Sequence, residues 1–196
     1  GWFNNEQCAG NPVTLISTTE YDDKEFWADW NIVTYSITFN NNGGLFENQG
    51  IPETYLLGDK VVLPTGISRE GYTFDGWYDN EACTGSSILS ISSTDLGNKT
   101  FYANWIVNSY GITLVTNEGT INSGNVESYT YGVEATLPTN VTKGGYTFDG
   151  WFTNTSYRGS AVSSVLATET GDKTFYAKWS VNTYDVTLNV NGGTIT

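Results

Sequence analysis

The chain repeats itself at a fixed spacing. EGYTFDGWYDNEACTGS at 70–86 returns as GGYTFDGWFTNTSYRGS at 144–160, and GWFNNEQCAG at 1–10 carries the tail of the same phrase. A second phrase follows each copy: DKEFWADW at 23–30, NKTFYANW at 98–105 and DKTFYAKW at 172–179. Trp2, Trp77 and Trp151 stand 75 and 74 residues apart, and so do Trp30, Trp105 and Trp179. Self-similarity at a constant period restricts the fold to an array of like units. It also bears on function. A site used once rarely recurs three times in register, so what repeats is read first as what holds each unit together.

The period sets the boundaries. Gly1 falls in phase with Gly76 and Gly150. Residues 1–30 then form the C-terminal part of a repeat, 31–105 and 106–179 are complete repeats, and 180–196 hold the first strand and turn of a further one. This phase predicts an excerpt from a longer array. A unit of about 75 residues is marginal for a single core and must bury aromatics densely. Aromatics make up 15% of the chain, which supplies them.

Composition removes several function classes. The net charge is −13, and the eight Lys and Arg are scattered, which disfavours binding to nucleic-acid phosphates. No apolar run is long enough to span a membrane, so no membrane insertion is expected. The chain has no histidine, which removes Ser–His and Cys–His nucleophiles and ordinary zinc sites. No enzyme is expected. Cys8 and Cys83 share one phase, filled by Tyr157 in the next repeat. They read as small buried apolar positions, and one Cys per unit allows no bridge within a unit. Ser, Thr, Asn and Gly richness with few charges reads as extracellular.

Within a repeat the pattern is β. Tyr35, Ile37 and Phe39 alternate with Ser36, Thr38 and Asn40, a half-buried strand; Tyr110, Ile112, Leu114 and Tyr184, Val186, Leu188 repeat it. Asn42-Gly43-Gly44 supplies a tight turn. Glu118 replaces the first of these glycines and Gly119 is kept, so the second is read as the stricter requirement. ETYLLGDKVVLP at 53–64 and SYTYGVEATLP at 128–138 each read as two strand pieces bent at Gly58 or Gly132. In GYTFDGWY, Tyr72, Phe74 and Tyr78 are expected on one strand face and Trp77 on the other, with a kink or bulge at Asp75-Gly76. Segments 84–97 and 158–171 suit either a short helix or an irregular loop. The last strand places Phe101, Ala103 and Trp105 on an inward face, like Phe26, Ala28, Trp30 and Phe175, Ala177, Trp179. The joints NIVT, IVNS and SVNT lack Gly and Pro and carry a β-branched residue. The last strand of one unit is therefore expected to run almost directly into the first strand of the next, giving a semi-rigid, elongated array.

The succession NNGG, YLLGDKVVLP, EGYTFDGWYDNEAC and NKTFYANW resembles the internalin B-repeat family, also called Listeria–Bacteroides repeats. The resemblance covers essentially the whole chain. It implies mainly β (α+β, β-grasp-like) small domains in tandem, found in bacterial surface proteins as spacers or stalks. It carries over no catalytic residue. Departures are Glu118 in the NGG turn and Trp27 where Tyr is commoner.

The candidate site residues divide accordingly. Trp2, Trp77, Trp151, Trp30, Trp105, Trp179, Phe26, Phe101 and Phe175 are expected as structural core. Trp27, Tyr102 and Tyr176, on the opposite face of the last strand, are the candidate binding surface. Asp22-Asp23 and Asp79-Asn80-Glu81 offer oxygens to Ca²⁺ without an EF-hand spacing, and read as solvated turn acids. Lys24, Lys99 and Lys173 share a phase and read as hydrated turn lysines rather than isopeptide donors. The leading reading is a non-enzymatic stalk or fibre segment on a bacterial cell surface, contacting neighbouring repeats and needing no cofactor. An adhesive module for a glycan or host protein is one alternative. A self-assembling filament subunit, pairing with like chains laterally or end to end, is the other.

Overall fold

A computed structural model describes residues 1–47, 50–189 and 191–193. The described residues are strands, turns and loops, with no helix. The chain forms two compact units: Gly1–Ile67 with Gly76–Asn104, and Ser68–Asp75 with the residues from Trp105 onward.

Each complete repeat builds a four-stranded mixed sheet. In the last repeat the order is Ser128–Thr130, Ser109–Val115, Lys173–Val181, Tyr146–Phe152; in the middle one it is Thr54–Leu56, Thr34–Asn40, Lys99–Val107, Tyr72–Tyr78. The two central strands are parallel, with Leu114 opposite Phe175 and Phe39 opposite Phe101. Parallel neighbours need a long crossover. In an α+β fold a helix makes it. Here the crossover holds short strand pairs, Ala135–Thr136 against Ser164–Val165 and Val61–Val62 against Ser90–Ile91. The segments at 84–97 and 158–171 are thus loops around a two-residue strand, and the helical part of the expected fold does not appear among the described residues. Ser/Thr/Gly richness explains this, because short polar side chains compete for the backbone bonds a helix needs.

The first strand alternates as its sequence requires: Ile37 is buried and Thr34, Ser36, Thr38 and Asn40 are exposed. In the last repeat, Tyr146–Phe152 carries a register shift between Phe148 and Gly150. This is the kink expected at Asp-Gly, and it changes the face assignment. The extra residue puts Phe148 with Trp151, ring centroids 5.5 Å apart, while Phe152 turns to Tyr157 and Lys178 on the other side. Phe148 and Phe152, the counterparts of Phe74 and Tyr78, therefore do not share a face.

The core of the last repeat joins Ile112, Tyr129, Leu137, Val141, Trp151, Val165, Phe175 and Ala177, with Trp179 partly buried against it. Trp77 and Trp151 are each 2% exposed. Burying an indole requires a partner for its N–H. Trp77 Nε1 donates to the Pro64 carbonyl and Trp151 Nε1 to the Pro138 carbonyl, both at 2.7 Å. Tyr55 and Tyr129 are handled alike: each buried hydroxyl donates to a glycine carbonyl, of Gly97 at 2.6 Å and Gly171 at 2.7 Å.

Both ends of the chain differ from expectation. Trp2 pairs through its strand with Trp27–Ala28, yet Trp2 is 58% exposed and Trp30 85% exposed. Neither is core. Residues 1–30 hold only the second half of the repeat pattern, and the strand and turn that cover these positions elsewhere are not among them. Phe26 is half-buried for the same reason. At the other end, residues 182–189 form no strand, and Tyr184, Val186 and Leu188 are exposed. A strand needs a ladder partner, and none of the described residues pairs with this segment. Val190 and 194–196 of the expected further repeat lie outside the described residues.

Candidate functional site

The repeated sequence phrases map onto three small constructions. The first is the NGG turn beneath the last tryptophan. Asn42 and Gly43 have φ of 46° and 83°, and Asn117 and Glu118 have 52° and 69°. The left-handed residues are therefore the Asn and the first Gly position. Gly119 is required for a different reason: a Cβ there would collide with the Trp179 ring. Trp179 Nε1 donates to the Thr116 carbonyl at 2.9 Å, and Asn117 Nδ2 donates to the Ala177 carbonyl at 2.7 Å. The turn is thus stitched to the last strand. Glu118 keeps its strained backbone beside Lys143, whose ammonium lies 3.2 Å from its carboxylate and donates to the Asn117 carbonyl at 2.9 Å.

The second is an asparagine-closed loop. Asn80 Oδ1 accepts from the Thr84 N–H at 3.0 Å and its Nδ2 donates to the Thr84 carbonyl at 2.9 Å. Asn5 with Ala9 and Asn154 with Arg158 repeat both bonds. Cys8, Cys83 and Tyr157 sit inside this loop at φ of 49°, 48° and 52°. They are half-buried turn residues with left-handed backbone, not the buried apolar positions expected. Their shared phase reflects backbone geometry. Asn80 is committed to its loop, and no group of three potential metal-binding side chains occurs among the described residues.

The third is the joint from the middle to the last repeat, whose residues all belong to the second compact unit. The strands Lys99–Val107 and Ser109–Val115 are interrupted only at Asn108. The Asn108 N–H donates to the Gly71 carbonyl at 2.9 Å, and the Asn108 carbonyl accepts from the Tyr131 N–H at 3.0 Å. Thr73 Oγ1 donates to Asn108 Oδ1 at 2.6 Å. A Cβ on Gly71, at φ of 75°, would enter the Tyr131 ring, which packs edge-on against Tyr72 with centroids 5.7 Å apart. Phe74 and Trp105 close the other side, at 5.4 Å. The following joint repeats two of these bonds: Asn182 N–H donates to the Gly145 carbonyl at 2.9 Å and Thr147 Oγ1 to Asn182 Oδ1 at 2.6 Å. Sequence reasoning noted that these joints lack Gly and Pro and missed the asparagine, whose recurrence at 108 and 182 was the available signal.

The remaining candidates are placed as follows. Phe101 and Phe175 are buried, and Trp105 and Trp179 are half-buried. Trp27, Tyr102 and Tyr176 are half-buried rather than open platforms. Tyr102 lines a cleft of about 420 Å³ with Asp79, Asp95 and Lys99. Lys24, Lys99 and Lys173 each face an acid four residues earlier, Glu20, Asp95 and Glu169, at 3.1, 3.7 and 2.7 Å. The Lys173 hydrogen bond holds the Glu169 carboxyl below its ordinary pKa against the opposing effect of burial, and holds Lys173 above its own. Burial pushes the Tyr55 and Tyr129 hydroxyls upward.

Tandem all-β units whose phrases build turns, loops and joints define a repeat domain. The chain belongs to the Listeria–Bacteroides repeat family, whose profile matches residues 35–104 and 110–178. It is 31% identical, over 98% of its length, to a protein of Evansella cellulosilytica described as a Gly-rich membrane protein, and 33% identical over 85% to another described as a membrane protein. It is 33% identical over 55% of its length to internalin H of Listeria monocytogenes. The chain spans only 21%, 24% and 19% of these three relatives. No solved structure matches it. Among the described residues there is no helix long and apolar enough to cross a membrane.

Proposed function

We propose that this chain is a non-enzymatic structural segment of a bacterial surface protein, a stalk whose repeats hold what they carry at a set spacing outside the cell. Membership of a repeat family of surface proteins supports this, as do relatives several times longer than the chain. The observation that carries it is the joint. Asn108 is tied back to the middle repeat through Gly71 and Thr73 and forward to the last repeat through the Tyr131 N–H, with Tyr72 against the Tyr131 ring, so this connection is held by directional hydrogen bonds and ring contacts rather than by a flexible linker; Asn182 repeats the two backward bonds. Solution scattering tests it. The maximum dimension of chains with increasing repeat number is expected to grow in equal steps, and to become broadly distributed in Gly71→Ala. A dimension no larger than that of collapsed globules, unchanged by that variant, would count against a stalk.

The cleft beside Tyr102 supports a second reading, an adhesive module for a glycan or host protein. Binding to a glycan array that survives replacement of Trp27, Tyr102 and Tyr176 together would sink it.

A further inference from the structure

The chain enters and leaves each complete repeat on neighbouring strands that run the same way. In the last repeat it enters through Ser109–Val115 and leaves through Lys173–Val181, paired in parallel from Ile112–Lys173 to Val115–Tyr176. In the middle repeat it enters through Thr34–Asn40 and leaves through Lys99–Val107, paired from Ile37–Lys99 to Asn40–Tyr102. Strand direction decides how tension acts. A pull along the chain draws the entry strand towards its N-terminus and the exit strand towards its C-terminus. For parallel strands these are opposite directions along one axis, so the ladder between them is sheared. Its bonds share the load and must break together. In an antiparallel pair the two pulled ends lie at one edge, and the same pull opens the ladder a bond at a time.

We propose that each repeat is a tension clamp, its parallel entry and exit strands placed in shear so that a pulled array keeps its folded length. The ladder itself is short, and side chains extend it at both ends. Ahead of its first pair, the Gly111 N–H donates to Asp172 Oδ1 at 2.7 Å, and in the middle repeat the Ser36 N–H donates to Asn98 Oδ1 at 2.9 Å. Beyond its last pair, Asn117 Nδ2 donates to the Ala177 carbonyl and Asn42 Nδ2 to the Ala103 carbonyl, both at 2.7 Å. Trp179 Nε1 adds a bond to the Thr116 carbonyl at 2.9 Å. Each of these clips ties the entry strand or its turn to the exit strand. Asp172 and Asn98 are exposed and take no part in the core, so the clip is what their shared place in the repeat supplies.

The sheet supports the pair on both sides. Ser128–Thr130 lies antiparallel against the entry strand and Tyr146–Phe152 antiparallel against the exit strand, both along the line of the pull. Sliding the exit strand also drags Phe175 and Ala177 out of the core in which they are buried. Only Asn108 separates the exit strand of the middle repeat from the entry strand of the last, so tension leaving one clamp passes into the next. The inference rests on the stalk reading for the source of the load and on nothing else in it, because shear follows from strand direction within one repeat.

Optical tweezers on the 196-residue chain test it, with Cys8 and Cys83 replaced by Ser and the handles on new cysteines at exposed positions. Ser109→Cys with Thr183→Cys pulls the last repeat along its strands. Ser109→Cys with Thr170→Cys places both handles at the Ile112–Lys173 end of the ladder and peels it. The expected rupture force is at least about twofold higher in the first geometry, where the bonds share the load that they meet singly in the second. Equal forces, or a higher force in peeling, overturn the proposal. Asp172→Ala with Asn117→Gly removes a clip at each end and keeps a residue suited to the left-handed backbone of the turn. It is expected to lower the ratio of shearing to peeling force, whereas faster unfolding alone lowers both forces. An unchanged ratio overturns the role given to the clips. The comparison of the two geometries leaves the clips intact, so it decides the proposal even if the double variant does not fold. Solution scattering separates the clamp from the stalk: a flexible array whose last repeat keeps the high ratio fails the stalk and upholds the clamp, and a rigid array with equal forces does the reverse.

Discussion

The Trp179 indole lies directly against Gly119, so close that a β-carbon on Gly119 has no room, while its ring nitrogen donates to the Thr116 carbonyl at 2.9 Å. Inserting a methyl group into such a contact forces the ring or the turn to move. Overpacking of this kind typically costs about 1–3 kcal/mol. Gly119→Ala should therefore lower the unfolding midpoint of the last repeat. Gly144→Ala is the control, since a Cβ at Gly144 meets nothing within 4 Å and its backbone is not left-handed. Denaturant unfolding followed by Trp fluorescence compares them. Equal midpoints would mean that Trp179 does not rest on this turn.

Glu118 sits one residue before that contact, at φ of 69°, where Gly43 and Gly192 occupy the same place in other copies. A non-glycine residue in the left-handed region costs roughly 1 kcal/mol. Its compensation is an ion pair with Lys143 in which the Glu118 side chain is 88% exposed, and exposed pairs contribute little. Lys143 keeps its bond to the Asn117 carbonyl without it. Glu118→Gly should stabilise the last repeat by about 0.5–1 kcal/mol. A lower midpoint for this variant would assign the ion pair more weight than its exposure allows.

Trp151 and Trp105 separate two roles that the sequence pattern merged. Trp151 is 2% exposed and donates to the Pro138 carbonyl, whereas Trp105 is half-buried beside Phe74. Truncating a buried Trp costs about 3–5 kcal/mol, a large fraction of the stability of a small unit. Trp151→Ala should abolish cooperative unfolding of the last repeat, and Trp105→Ala should produce a smaller shift. Thermal melts by circular dichroism rank the two. A larger loss from Trp105→Ala would reverse the assignment.

How much was legible in the sequence follows from which features are local. Alternation at Tyr35, Ile37 and Phe39 and the inward Phe101 and Ala103 were readable because a strand side chain's direction depends only on its parity. The Asp-Gly bulge was readable as a kink, but its effect was not: one extra residue moves Phe148 onto the face of Trp151, and only the ladder partner shows that. The stringency of Gly119 was visible, and its cause was not, because the Trp179 that fills the space is 60 residues away in the chain. Trp2 and Trp30 were misplaced by the very periodicity that made the repeats obvious. Equivalent sequence implies equivalent burial only where the covering strand is also present. Cys8, Cys83 and Tyr157 share a phase for their backbone conformation, a property that residue type reports poorly.

The Lys173–Glu169 pair gives the last repeat a pH signature. The Lys173 hydrogen bond, at 2.7 Å, places the Glu169 pKa below its ordinary 4.5 and the Lys173 pKa above its ordinary 10.5. A carboxyl with a lowered folded pKa contributes stability above its unfolded value and loses it as the pH falls through the folded one. The Glu169 contribution therefore disappears in acid, below about pH 4.5. Lys173 behaves oppositely, its contribution complete below 10.5 and lost as the pH rises beyond it. Tyr129 adds to the alkaline side. Burial raises its pKa above 10.0, so its neutral, hydrogen-bonded form resists ionisation that the unfolded chain undergoes freely. Both partners of the pair are partly exposed, so its share is expected below about 1 kcal/mol. Glu169→Gln isolates it. The stability difference between parent and variant, from denaturant midpoints across the pH range, should be greatest near neutrality and shrink towards acid. A difference of constant size from neutral pH into acid would show that Glu169 acts through packing and not through its charge.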